Sequence, residues 1–192
     1  MTKRAFIIHG WGGSPEEGWF PWLTAELEHR GFTVEIPAMP DTDAPVIGAW
    51  VDHLAQAVGT PDTDTYLIGH SIGCQTVLRY LETLAADIRV GGAVFVAPWF
   101  VLSDAETDEE KAIGAPWVET PIDLARVRLH TSNFVAIFSE DDEVVPVEPN
   151  RSRFQDELGA RIVMDNGKNH FSGGDGVSQL PSALEALETM RG

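Results

Sequence analysis

Six short apolar runs recur along this chain, each followed by a polar or glycine-rich break: "RAFIIH" (4–9), "TVEIP" (33–37), "TYLIG" (65–69), "GAVFVA" (92–97), "FVAIFS" (134–139) and "RIVM" (161–164). Most are near-continuous Val, Ile and Phe, with none of the polar alternation of a strand wetted on one side. Such runs fit strands covered on both faces. The stretches between them have helical periodicity. In 44–58, Ile47, Trp50, Val51, Leu54 and Val58 share one face, and in 71–85 Cys74, Val77, Leu78, Leu81 and Leu84 do the same. Residues 14–31 place acids near a helix start and Gly31 at its end, and "PSALEALETM" (181–190) predicts a last helix. Repeated strand–helix–strand units need right-handed crossovers. The expected fold is therefore α/β: a doubly wound, mostly parallel sheet of about six strands with helices on both faces. The 192 residues suit one such domain, with no internal repeat or linker to divide them.

In sheets of this kind ligands bind beyond the carboxyl ends of the strands. Four polar segments follow strands and so belong to that rim: "HGWGG" (9–13), "GHSIG" (69–73), "SEDDEVVP" (139–146) and "DNGKNHF" (165–171). "GHSIG" is a G-x-S-x-G pattern lying directly between a strand and a helix. A sharp turn there lifts the Ser71 hydroxyl above the sheet, and glycines on either side leave room for strand and helix to cross. Ser71 is the expected nucleophile.

A serine hydroxyl needs a base near neutral pH, and histidine has the suitable pKa. Six histidines compete. His29 and His53 fall on polar helix surface, and His130 lies in an irregular segment. His9 and His70 stand on the rim beside glycines in tight turns, where they orient the turn. His170, in a loop after the last strand, is the expected base. The acid that holds the imidazole is expected from 140–143, with Asp142 preferred for its spacing to "VVP" and Asp141 as the alternative. The order Ser71, Asp142, His170 is that of α/β-hydrolases. An oxyanion hole requires two backbone N–H donors. Ile72 supplies one, and Trp11 or Gly12 in "HGWGG" the other.

Composition narrows the function classes. Thirty acidic residues face thirteen basic ones, three of them lysines, for a net charge of −17. Such a surface repels nucleic acid and anionic membranes, so the expected partner is a small acyl substrate. Excess acid with scarce lysine fits either salt adaptation or an ordinary acidic cytosolic protein. No apolar run reaches the roughly 20 residues of a membrane helix. With no signal-peptide pattern and a single cysteine, Cys74, the expected location is the cytoplasm. No Cys/His spacing suggests a metal site, and no cofactor is expected.

On "IIHGWGGSPEEGWFPWL" (7–23), "VEIPAMPDTDAPVIGAWVDHL" (34–54), "GHSIG", "DDEVVP" (141–146) and "NHF" (169–171), the chain resembles the small α/β-hydrolase-fold serine hydrolases related to retinoblastoma-binding protein nine and its bacterial homologues. The resemblance covers nearly the whole chain. It implies a minimal hydrolase sheet without the first antiparallel strands, no cofactor, and triad roles for Ser71, Asp142 and His170. Carboxylesterase-type and peptidase-type hydrolysis are both implied. Asn169 stands where such loops often place glycine. Residues 98–130, too acidic and irregular for one core helix, are expected to form a short cap-like insertion over a shallow pocket for a small acyl group. Trp99, Phe100 and Trp117 either wall that pocket or pack the segment onto the body. The competing expectation is a binding or scaffold protein that keeps the fold without turnover.

Overall fold

The computed structural model describes residues 2–103 and 107–190. Six strands form one parallel sheet: β1 (Lys3–Ile8), β2 (Phe32–Glu35), β3 (Thr65–His70), β4 (Gly92–Val96), β5 (Phe134–Phe138) and β6 (Arg161–Met164), in the order β2-β1-β3-β4-β5-β6. Strand order reverses between β1 and β3, which makes the crevice above them the place for a ligand.

Successive residues of a strand face opposite ways, and the core divides accordingly. Ala5, Ile7, Ile68, Val94, Val96, Val135 and Ile137 point to α1 (Phe20–Glu28) and α7 (Pro181–Thr189). Phe6, Ile8, Leu67, Ala93, Phe95, Phe134, Ala136 and Phe138 point to the other face. There α2 (Ile47–Val58) and α3 (Ile72–Thr83) supply Trp50, Leu54, Val77, Leu78 and Leu81. Burial on both faces is what the near-continuous apolar runs require.

Two segments depart from the sequence expectation. The first helix does not begin among the acids at 16–17; it begins at Phe20, after Gly18 turns the chain at φ +53° and with Pro21 in the first turn. Glu16 and Glu17 are thereby left outside the helix. Residues 98–130 are not simply irregular. They hold α4 (Asp108–Glu119) and α5 (Leu124–Val127), while 104–106 lie outside the described residues. Thr107 and Glu110 form a capping box: the Thr107 hydroxyl accepts from the Glu110 N–H at 3.1 Å, and the Glu110 carboxylate accepts from the Thr107 N–H at 2.9 Å. Asp108, Glu109 and Glu110 occupy the first turn, where the helix dipole favours negative charge. The acidity that argued against a core helix thus supports a surface one, with only Gly114 and Trp117 buried. Further along, α6 (Val147–Ser152) runs into a π-helical turn, Arg153–Leu158, closed by Gly159 in the left-handed conformation. No helix of the described residues is long and apolar enough to cross a membrane.

Candidate active site

Ser71 occupies the single residue between β3 and α3, with φ 53° and ψ −119°. A non-glycine residue in such a conformation is strained and persists only where its surroundings impose it. The Ser71 N–H donates to the Val96 carbonyl at 2.9 Å. Both glycines are required by close approach. A Cβ on Gly69 would lie 2.6 Å from the Cys74 nitrogen, and one on Gly73 would press into the Ile8 and His9 carbonyl oxygens. Cys74 itself is buried, its thiol donating to the Gly69 and Val96 carbonyls at 3.1 and 3.3 Å, and burial pushes its pKa up.

Across the rim, His170 Nε2 lies 2.9 Å from Ser71 Oγ, and His170 Nδ1 lies 3.0 and 3.1 Å from the two Asp142 oxygens. The Asp142 side chain is 2 % exposed. Its Oδ1 also accepts from the Val144 and Val145 N–H groups of "VVP", each at 2.9 Å. A carboxylate held by backbone donors faces the imidazole in one orientation. It leaves Nε2 facing the Ser71 hydroxyl. Asp141, the alternative, turns the other way, toward the backbone N–H groups of 167 and 169. Asn169 adopts φ +46°, and its side-chain oxygen accepts from the Glu143 N–H at 3.3 Å. Asparagine is among the few non-glycine residues that tolerate this region, so it serves where glycine would.

The remaining histidines have other duties. His9 is buried; its Nδ1 donates to the Gly10 carbonyl at 2.9 Å and its Nε2 accepts from the Met39 N–H at 3.1 Å. That pairing suits a neutral ring, and burial lowers its pKa. His70 donates from Nε2 to the His170 carbonyl at 2.8 Å. Burial, and then the neighbouring His170 imidazole, lower its pKa to about 4. His130 is buried elsewhere, against the Ile88 carbonyl. Among the described residues, no three His, Cys, Asp or Glu side chains are grouped to hold a metal ion.

A cavity of about 630 Å³ opens over Ser71, lined by Trp11, Ile72, Trp99, Leu102, Val144 and His170 among others. Of the two further donors considered, the Gly12 N–H is engaged with the Thr42 carbonyl at 2.8 Å. Among the described residues no protein acceptor pairs with the N–H of Trp11 or of Ile72. The aromatic residues of 98–130 separate. Trp99 lines this cavity, whereas Phe100 and Trp117 do not. Phe100 is buried between Phe154 and the Arg153 guanidinium, which stands 4.0 Å above its ring. Trp117 packs on Trp50, and its Nε1 donates to the Pro45 carbonyl at 2.9 Å. Both line a smaller cavity of about 220 Å³ instead. Glu17, Glu110 and Glu143 also line the larger cavity, and among the described residues no Lys or Arg does. Sequence reasoning assigned Glu17 to a helix and Glu110 to the insertion; Glu143 stood in the rim segment 139–146, weighed there only as a partner for the imidazole and not as cavity lining.

The sheet, its crossovers and the strained strand-to-helix turn at Ser71 define an α/β-hydrolase fold. The chain belongs to the serine hydrolase family, whose pattern it matches over residues 5–189. It is similar to YdeN of Bacillus subtilis, at 29 % identity over 97 % of this chain and 95 % of that protein. The crystal structure of the ydeN gene product superposes with a TM-score of 0.88, covering 98 % of each chain. The serine hydrolase RBBP9 of Rattus norvegicus is 26 % identical over 88 % of this chain and 87 % of its own. Est1E from Butyrivibrio proteoclasticus, 18 % identical, shares the fold with a TM-score of 0.72, over 99 % of this chain and 86 % of its own.

Proposed function

We propose that this protein hydrolyses a small acyl ester or amide through an acyl-enzyme on Ser71. The reading rests on one observation above others: Ser71 Oγ, His170 and Asp142 form a continuous hydrogen-bonded chain, of which Ser71 and His170 line a cavity. In the proposed reaction Ser71 Oγ attacks the substrate carbonyl carbon while His170 Nε2 takes the hydroxyl proton. Asp142, already bound to Nδ1, stabilises the imidazolium. The carbonyl oxygen becomes an oxyanion facing the free N–H groups of Trp11 and Ile72. Its collapse breaks the bond to the leaving alcohol or amine, which receives the proton from Nε2. Water then gives a proton to His170 and attacks the acyl-enzyme, releasing the acid and restoring Ser71.

Trp99, Leu102 and Val144 supply the apolar wall for the acyl group. The carboxylates of Glu17, Glu110 and Glu143, with no Lys or Arg among the described lining residues, set the cavity against anionic substrates. The test is fluorophosphonate labelling of the wild type and of Ser71→Ala, followed by turnover of p-nitrophenyl esters of graded chain length. Labelling of the wild type alone, with turnover of short neutral esters, is expected. Absent labelling of the wild type, or labelling of the alanine variant, would defeat the assignment. Labelling without turnover of any ester or aminoacyl amide would favour a binding role.

A further inference from the structure

We propose that Asp141, acting with Ser139, is a positioning residue for His170: together they staple the loop bearing the imidazole to the strand end bearing Asp142. The proposal rests on the reading of Ser71 and His170 given above. Ser139 is fully buried at the end of β5; its hydroxyl donates to Asp141 Oδ1 and accepts from the Lys168 N–H at 3.2 Å. Asp141 Oδ1 accepts from the Gly167 N–H at 3.0 Å, and its Oδ2 from the Asn169 N–H at 3.4 Å. Three consecutive N–H groups of the His170 loop are thus bound by two side chains of the Asp142 loop. Two bonds run the other way. The Glu140 N–H donates to Asn166 Oδ1 at 3.1 Å, and the Glu143 N–H to Asn169 Oδ1 at 3.3 Å.

The loop needs such holding. It has no regular secondary structure, and the residues on both sides of His170 lie in the left-handed region, Asn169 at φ +46° and Phe171 at φ +60°. Backbone of that kind keeps its shape only where its surroundings dictate it. On the far side, His70 binds the His170 carbonyl and Trp19 Nε1 binds the Phe171 carbonyl at 3.0 Å. On the near side the tether is the Ser139–Asp141 pair with its two asparagine partners. An ionised carboxylate is the suitable acceptor, because each bond to it is charge-assisted. The Ser139 hydroxyl first, and then these N–H groups, hold the Asp141 carboxyl below its ordinary range. Asp141 touches neither Ser71 nor the imidazole and does not line the cavity. Its influence on the reaction passes through the placement of His170.

Asp141→Asn keeps the side-chain shape but sets an NH₂ donor against one of the N–H donors it now accepts. With a p-nitrophenyl ester, kcat is expected to fall about 10- to 100-fold while KM stays within twofold, as for a base displaced by a fraction of an ångström. Ser139→Ala should behave alike. The double variant should lose little more than the worse single one, since the two act as a unit. Asp141→Glu, which keeps the charge, should recover part of the rate. A second readout needs no turnover: the downfield proton resonance of His170 Nδ1–H should broaden in Asp141→Asn and persist in Ser71→Ala. A folded Asp141→Asn protein with wild-type kcat and an unchanged resonance would overturn the proposal. So would a lowered melting temperature with kcat intact in Asp141→Asn, Ser139→Ala and their double variant. Failure of the wild type to react with fluorophosphonate would instead strike the nucleophile assignment, leaving the resonance to decide the staple.

Discussion

The turn that carries Ser71 and the loop that carries His170 end 2.9 Å apart, yet they are held differently. From Thr65 through Leu81 every residue is buried, and Ser71 is fixed by backbone packed against backbone: the Ile8 and His9 carbonyls at the end of β1 against Gly73, the start of α3 against Gly69. The loop from 165 to 170 is half-exposed and held by side chains that bind its N–H groups. Close packing has almost no give, whereas a hydrogen-bonded loop can yield at one bond and keep the rest. Ser71 is the rigidly held member of the pair and His170 the adjustable one.

The largest expected effect comes from removing a member of the chain itself. Ser71→Ala or His170→Ala should lower kcat by roughly 10⁴- to 10⁶-fold and Asp142→Ala by less, with the double His170/Asp142 variant little worse than His170→Ala. Steady-state rates on one ester, with melting temperature as the folding control, measure this. Additive losses would mean that the three do not act as a unit.

Paired glycine substitutions probe the contrast between the regions directly. Gly73→Ala pushes a methyl group into two backbone carbonyls that cannot move without β1, and should cost about 3 kcal/mol and abolish labelling. At Gly167, φ is +75° and a Cβ would meet nothing within 4 Å. Gly167→Ala should cost only about 1 kcal/mol, the penalty of the left-handed conformation. Urea unfolding of the two variants decides the matter, and equal losses would erase the distinction.

Acid should loosen the site from the His70 side. In the fold His70 protonates near pH 4, against an ordinary value of 6.5. Between those values the unfolded chain binds a proton that the folded one refuses. Stability therefore falls as pH drops from 6.5 to 4 and is fully restored above 6.5, the whole change amounting to roughly 3 kcal/mol. His9, also lowered, acts with the same sign. His70→Gln keeps a donor for the His170 carbonyl and removes the titration. Its unfolding free energy should fall less steeply than that of the wild type over this window; identical slopes would refute the assignment.

Salt should produce the smallest change. The described ion pairs of lysine and arginine are exposed or half-exposed, and such pairs contribute about 0–1 kcal/mol each. The net charge of −17 is left mainly to the solvent to screen. Melting temperature should rise between dilute buffer and molar KCl, where the Debye length shrinks from about 10 Å at 0.1 M to about 3 Å. A flat response would remove the salt-adapted reading and leave the site untouched.

The sheet was legible because burial on both faces leaves its mark residue by residue, as in "AFII" or "AVFV", and neighbouring strands need no further information to be recognised as strands. The turn at Ser71 was legible because it needs glycines at fixed spacing, and the orientation of the Asp142 side chain is a local matter, since the two N–H groups it binds are two and three residues away. The α4 helix was missed although its capping box is written in "TDEE", since acidity was read as a sign against packing rather than as a fit to a helix start. Phe100 and Trp117 could not be separated from Trp99 by sequence: all three are large, apolar and in one segment, and only contact with Phe154 and Trp50 removes two of them from the cavity.

What the sequence determined by itself was local: which stretches are strands or helices, where the chain must turn, and which side chains have the chemistry of nucleophile, acid and base. Tertiary structure decided everything that depends on strand order. The order β2-β1-β3-β4-β5-β6 puts the ends of β1, β3, β5 and β6 on one rim. It closes the distance between Ser71 and His170 across 99 residues, and lets Ser139 and Asp141 bind N–H groups 26 to 29 residues further on. It also gathers Glu17, Glu110 and Glu143 around one cavity. A side chain's type is carried by its own codon, but its partner across the rim is set only when the intervening strands pair, because the energy of that contact is collected after the loop between them has closed.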